Sequence, residues 1–303
     1  MNTGTRMATD TRRLFARAER MLAADRLRAP ATRANTSRNA RAERGRHARW
    51  APARDALWQL LDRHLHPGAR VAVLGAGNAD DLPLDRIAAR AGAVSLIDLD
   101  ARALGAARGR QPRRLRSRMI VLTHDVTDGA ADTIAIAAAT RHLPEPVAVS
   151  QAPLPGAPYD LVIGDLLYSQ LLYPALVDLD IPAAHTSAFV ERYAPMLTRS
   201  VVSRLHLSAP DGLVLHIHDP IAWWHGHAQP VTLEQILTAS EHDPGAAVAL
   251  AAQGTGPHDS DPRAALGSFA IPIRATAMWH WPFSPGVDYL ACATLAGAFA
   301  AQG

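Results

Sequence analysis

The chain has 303 residues, 48% of them apolar and 19% charged, enough to close one large hydrophobic core or two small ones. Its 31 basic residues are all arginine and its formal net charge is +3, but residues 1–50 hold 13 arginines against four acids, so the remainder is net acidic. No apolar run reaches the ~18 residues of a membrane span, no secretory signal is recognisable at the start, and Cys292 is alone; this excludes an internal disulfide and leads us to expect a reducing, cytoplasmic setting.

Residues 1–49 are expected to form a basic arm. Leu14, Phe15, Ala18, Met21 and Leu22 have helical spacing, whereas the Arg/Asn/Ser/Gly composition after Pro30 predicts disorder as far as Trp50. Leu57, Leu60, Leu61 and Leu65 predict a helix over 53–66, stopped by Pro67-Gly68. A regular alternation follows. Short apolar runs at 70–74, 93–97, 119–122, 159–163 and 212–217 are separated by helix-compatible stretches at 81–91, 101–108, 129–141 and 185–206. Strands that are apolar on both sides imply a parallel sheet with both faces covered. Two further strands are predicted at 269–280 and 287–295, and the Pro/Gly/Asp-rich segment 242–267 predicts a long loop. The expected fold is α/β: a Rossmann-like, seven-stranded, mostly parallel, doubly wound sheet over residues 50–303 with a helical N-terminal extension.

In such a sheet the carboxyl ends of the parallel strands lie along one edge, where ligands bind. The first strand runs into Gly75; the next four are followed by Asp98, Asp125, Asp165 and Asp219. Each aspartate alone is explained as a helix or turn cap; four in succession point to a ligand edge. The turn "VAVLGAGNADDLPL" (71–84) has Asp80 where a dinucleotide fingerprint has its third glycine, with Asp81 beside it. Both would repel a pyrophosphate. A P-loop is excluded, because no Gly-Lys-Ser/Thr is present. S-adenosylmethionine suits the charges better, since it carries a sulfonium, an ammonium and a single carboxylate. Asp98, 23 residues beyond Gly75, stands where an acid takes ribose hydroxyls, and Asp125 follows the third strand, where an adenine amino group needs an acceptor.

With "VAVLGAGNA" (71–79), "VSLIDLD" (94–100), "THDVTD" (123–128), "YDLVIGDLLYSQL" (159–171) and "DGLVLHIHD" (211–219) in this order, the sequence resembles the class I S-adenosylmethionine-dependent methyltransferases over roughly residues 50–300. The resemblance implies that Gly75, Ala76, Gly77 and Asn78 bring backbone up to the methionine part. It implies that Asp98 with Leu99 holds the ribose, that Asp125 and the Val126 N–H read the adenine, and that Gly164 and Asp165 lie beside the transferring methyl. Two positions depart from the family pattern. Ala79 replaces the third turn glycine, and Val73 replaces an acid, whose role toward the ammonium falls to Asp80 or Asp81.

On the acceptor side, "DLLY" (165–168) has the frame of the D-P-P-Y motif of amino-methylating enzymes with both prolines replaced by leucine. "HIHDPIAWWHGH" (216–227) is rich in metal-ligand types, but its spacing matches no closed zinc site, so no metal is expected. Tyr168, His218 and Asp219 are the expected catalytic residues, His218 as general base. Trp223, Trp224, Trp279 and Trp281 would cover a substrate or fill core. The expected reaction is methyl transfer to an O or N nucleophile of a small molecule. The basic arm and "RRLRSR" (113–118) keep open a nucleic-acid acceptor such as rRNA or tRNA. An aminopropyltransferase and a non-catalytic cofactor-binding protein are also compatible with these motifs.

Overall fold

A computed structural model describes residues 27–41, 45–142, 147–254 and 261–298. Its centre is a seven-stranded sheet: β1 (Arg70–Leu74), β2 (Ala93–Asp98), β3 (Met119–Thr123), β4 (Leu161–Gly164), β5 (Leu213–Trp224), β6 (Ile273–Ser284) and β7 (Val287–Ala296), in the spatial order β3-β2-β1-β4-β5-β7-β6. β1 to β5 are mutually parallel, and β7 inserts antiparallel between β5 and β6. The helices of six or more residues are, among the described residues, α1 (Pro30–Ala40), α2 (Ala51–His64), α3 (Leu84–Arg90), α4 (Ala101–Gly109), α5 (Ala130–Ala139), α6 (Tyr173–Asp178), α7 (Ala183–Ser208), α8 (Leu233–His242), α9 (Pro244–Ala251) and α10 (Pro262–Ser268). The strand order reverses between β1 and β4, which makes the carboxyl edge there the natural crevice for a ligand.

β1 shows why these strands read as continuous apolar runs. Val71 and Val73 pack on one face with Leu57, Leu61 and Ile87; Ala72 and Leu74 pack on the other with Ile134, Leu197 and Val201. Both faces are covered, as expected for a doubly wound sheet. A smaller core of Ile221, Ile236, Ala247 and Cys292 seats α8 and α9 against the antiparallel half.

Three expectations are corrected. Segment 242–267 is not simply a loop: it carries α9 and α10. Asp243 accepts from the Gly245 and Ala246 N–H groups at 2.8 and 3.1 Å, and Asp261 from the Arg263 N–H at 2.9 Å. Each Asp-Pro pair is thus an N-cap followed by proline at the first helical position, not a breaker. The stretch after Pro30, whose composition predicts disorder, is helical in α1 and again in the turn Arg46–Arg49. β5 does not end before Asp219. It continues to Trp224 through a register shift between His218 and Ile221. Asp219 and Pro220 occupy this bulge, where proline's missing N–H costs no ladder bond and Asp219 is turned out of register at the ligand edge. The Leu14–Leu22 helix pattern lies outside the described residues.

Candidate functional site

The glycine turn leaves β1 in left-handed steps, with φ +79° at Gly75, +44° at Gly77 and +51° at Ala79. A Cβ on Gly75 would stand 2.8 Å from the backbone oxygen of Asp165, so only glycine permits this approach of β1 to β4. Ala79 adopts the glycine-like conformation of the residue it replaces. α3 begins only at Leu84, nine residues beyond Gly75 in sequence. The turn therefore lacks the adjoining helix N-terminus that anchors a dinucleotide's pyrophosphate.

Asp98 is buried and fixed from three directions. Its Oδ2 accepts from the Gly77 N–H at 2.9 Å; its Oδ1 accepts from the Asp100 N–H at 2.9 Å and from Asn35 Nδ2 at 2.6 Å. Asn35 belongs to α1, which roofs the edge. Asn39 donates to Asp100 at 3.2 Å, and Asn78 donates to the Asn39 carbonyl at 3.0 Å. Beneath α1 lies a cleft, partly open to solvent, walled by Asp98 and Leu99 on one side and by Asp125, Val126 and Thr127 on another, with Gly75, Gly77 and Asp165 below. Asp125 accepts from Thr127 N and Oγ1, both at 2.8 Å, and from the Gly129 N–H at 2.8 Å, so it also builds the loop. A carboxylate still has acceptor capacity after three such bonds. Arg204, buried in α7, props the same loop by donating to the Val126 carbonyl and to Ala152 O at 2.8 Å while pairing with Asp128 at 3.1 Å.

The carboxyls at the turn hold their protons more tightly than usual. Burial raises Asp98, and it pushes Asp81 up to about 6. Asp165 lies well above the usual carboxylate range because of burial, with Asp81 and Asp98 as the neighbouring charges that raise it further. This grouping is short of positive charge at Asp165 and favours a cationic ligand. Asp80 differs from the expectation placed on it. Its carboxylate is taken up by Arg46 at 2.7 Å and Arg110 at 3.0 Å, and it lines the neighbouring cleft that also holds Ala76, Asn78 and Asp81. Asp80 is therefore compensated by arginine, and Asp81 and Asp165 are the other acids that line this cleft.

A further pocket adjoins these two clefts, with Arg38 and Gln170 common to all three. Arg38 Nη2 donates to Gln170 Oε1 at 2.5 Å. Tyr173, Trp224, Trp281, Phe283 and Tyr289 form its aromatic walls, and Asp219 and Ser169 its polar floor. Ser169 Oγ donates to Asp219 Oδ2 at 3.2 Å; Asp219 Oδ1 is buried without a hydrogen-bond partner. Desolvation pushes Asp219 up to about 7 against the pull of Ser169 and Arg38. Trp281 and Phe283 meet edge to face at 5.1 Å, and Trp50 Nε1 donates to the Pro282 carbonyl at 2.9 Å, clamping the β6–β7 tip to α2.

Two expected catalytic residues stand elsewhere. Tyr168 is buried in the core with its hydroxyl hydrogen-bonded to His216 Nδ1, and His216 meets His206 at 3.1 Å between their Nε2 atoms. The "DLLY" tyrosine therefore does not present its ring to an amine. His218 is fully buried, lines none of the three clefts, and lies 3.5 Å from Asp261; burial lowers it to about 4, which makes it a weak base as well as a distant one. The cause is strand alternation: Asp219 faces the edge, and its neighbour faces the core. Gly164 serves packing, since a Cβ there would lie 3.0 Å from Leu205 Cδ1. His227 stacks on Trp224 at 3.7 Å, and no group of three or more metal-ligating side chains occurs among the described residues. Sequence reasoning missed Asn35, Arg38, Arg204 and Tyr289. Only Asn35 carried a signal, as a polar residue in a segment rich in Asn and Ser.

No family model and no curated protein matches the chain. Among solved structures it is similar to a SAM-dependent methyltransferase from Aquifex aeolicus (12% identity, 84% of this chain and 93% of that one, TM-score 0.40). It is also similar to one from Methanosarcina mazei (11%, 79% and 97%, TM-score 0.40) and to an O-methyltransferase family protein from Burkholderia thailandensis (14%, 88% and 63%, TM-score 0.40).

Proposed function

We propose that the cleft beneath α1 binds S-adenosylmethionine and that the protein transfers its methyl group to a small acceptor in the adjoining aromatic pocket. The observation that carries this is Asp165, a buried acid at the junction of two clefts, with two further acids as the charges acting on it. The ligand supplies a sulfonium-activated methyl group. The chain's own residues hold and orient: Asp98 takes the ribose hydroxyls, Asp125 and Val126 bound the adenine, and Asp81 and Asp165 balance the positive charges. A dinucleotide fits less well, because these acids oppose its phosphates and no helix N-terminus adjoins the turn. Of the arginines lining the middle cleft, Arg46 pairs with Asp80, and Arg49 donates to the Pro282 and Phe283 carbonyls, both at 3.1 Å.

Calorimetry on the full chain tests this. S-adenosylmethionine and S-adenosylhomocysteine should bind and NAD should not, and Asp98→Ala should weaken both by about 1.5–3 kcal/mol through lost charged hydrogen bonds. The sulfonium form should bind more tightly than the neutral thioether, and Asp165→Asn should remove that preference. NAD binding that excludes S-adenosylhomocysteine would overturn the proposal.

A further inference from the structure

Two residues that line the aromatic pocket each carry a buried polar atom without a partner. Asp219 Oδ1 is an acceptor and Trp281 Nε1–H a donor, and both residues line the same space. Orphaned groups of this kind are costly in a finished core, so a pocket whose walls keep one of each suits a ligand that supplies the opposite pair. Aromatic side chains make most of its wall and favour a flat ring. Arg38 stands on the lip and disfavours an ammonium-bearing acceptor, which aromatic walls and a carboxylate alone would welcome. We propose that this pocket takes a flat aromatic compound bearing a hydroxyl group next to a second oxygen: the hydroxyl donates to Asp219, and the second oxygen accepts from Trp281. The proposal deepens the methyl-transfer function above and rests on it for the chemical step.

In that step the hydroxyl oxygen forms its bond to the methyl carbon as the carbon–sulfur bond breaks, the bonding pair stays on sulfur as a neutral thioether, and the hydroxyl proton passes to the Asp219 carboxylate. One negative and one positive charge disappear together. Asp219 must therefore start ionised, and the rate should rise with pH through about 7 and then level. The groups facing it are Arg38 from α1, Ser169, Tyr289 and Cys292. Burial holds Tyr289 above its ordinary value and Cys292 up to about 12, so neither titrates near neutrality.

The test is calorimetry on the full chain with three probes: 2,3-dihydroxynaphthalene, 2,3-dimethoxynaphthalene and 1-naphthylmethylamine. The dihydroxy compound should bind at least about 10-fold more tightly than either of the others, the worth of one hydrogen bond to a charged group. Asp219→Asn should erase most of its margin over the dimethoxy compound while S-adenosylhomocysteine binding is unchanged. Should that variant fail to fold, Trp281→Phe keeps the ring, loses the N–H, and should weaken the dihydroxy compound about 5-fold. Tightest binding by the amine, or a margin that survives in both variants, overturns the proposal. If the dihydroxy compound binds as expected but S-adenosylhomocysteine does not, the pocket assignment stands and the cofactor proposal falls.

Discussion

At neutral pH Asp219 loses its proton in a pocket where desolvation opposes the charge. Its pKa rises from 3.8 to about 7 in the folded chain. A carboxyl raised in this way adds stability fully below pH 3.8, and the contribution is lost as pH climbs through about 7, because the folded state then holds a proton that the unfolded state has released. Asp219→Asn should therefore raise the melting temperature by about 4 °C or more at pH 8, with the gain vanishing near pH 4. Paired melts at the two pH values check this, and an equal shift at both would mean that the charge is already compensated. Tyr168 and His218 belong to the other class of polar residue, those enclosed by core. Tyr168→Phe leaves His216 Nδ1 without its partner and should cost about 1–3 kcal/mol in denaturant unfolding. His218→Ala opens a cavity and should cost about 2 kcal/mol or more. Neither should change S-adenosylhomocysteine affinity per folded molecule. A variant that folds normally but loses turnover would return that residue to the active site.

α1 shows how an element is built from long-range polar bonds. It has almost no apolar face and buries only Pro30 and Ala34. It is held instead by Asn35 on Asp98, by Arg33 on Asp178 at 2.6 Å, and by the Ala31 N–H donating to Asp132 at 2.8 Å. These partners lie 63 to 145 residues away in sequence. Periodicity reports burial of apolar side chains and cannot register such a helix. Where burial decides, the sequence was legible: β1 to β4, the order of the acids, and the glycine turn stand as expected. It failed where an Asp-Pro pair served as a cap, where a bulge carried β5 onward, and where strand alternation divided His218 from Asp219. Because α1 completes the wall at Asp98, removing residues 1–41 should weaken S-adenosylhomocysteine binding by about 10-fold or more. Unchanged affinity would reduce α1 to a passive cover.

The molecule divides its work between two kinds of sheet. The parallel half builds the cleft beneath α1 from strand ends, and the antiparallel β6–β7 hairpin brings Trp281, Phe283 and Tyr289 to the aromatic pocket. Arg38 joins the halves: it borders all three clefts, bonds Gln170, and feels both Asp98 and Asp219. A ligand in either cleft that fixes this side chain relieves the second ligand of ordering it, so the two should bind with positive coupling. Calorimetric titration of 2,3-dihydroxynaphthalene with and without saturating S-adenosylhomocysteine should show at least about 5-fold tighter binding in its presence, and the reverse titration must give the same factor. Arg38→Met keeps much of the side-chain length and removes the guanidinium. It should bring the factor close to one while each ligand still binds alone. If the coupling persists in that variant, it runs through the Asp165–Leu166 backbone shared by the sheet halves, where Leu166 holds φ +48°, and not through Arg38.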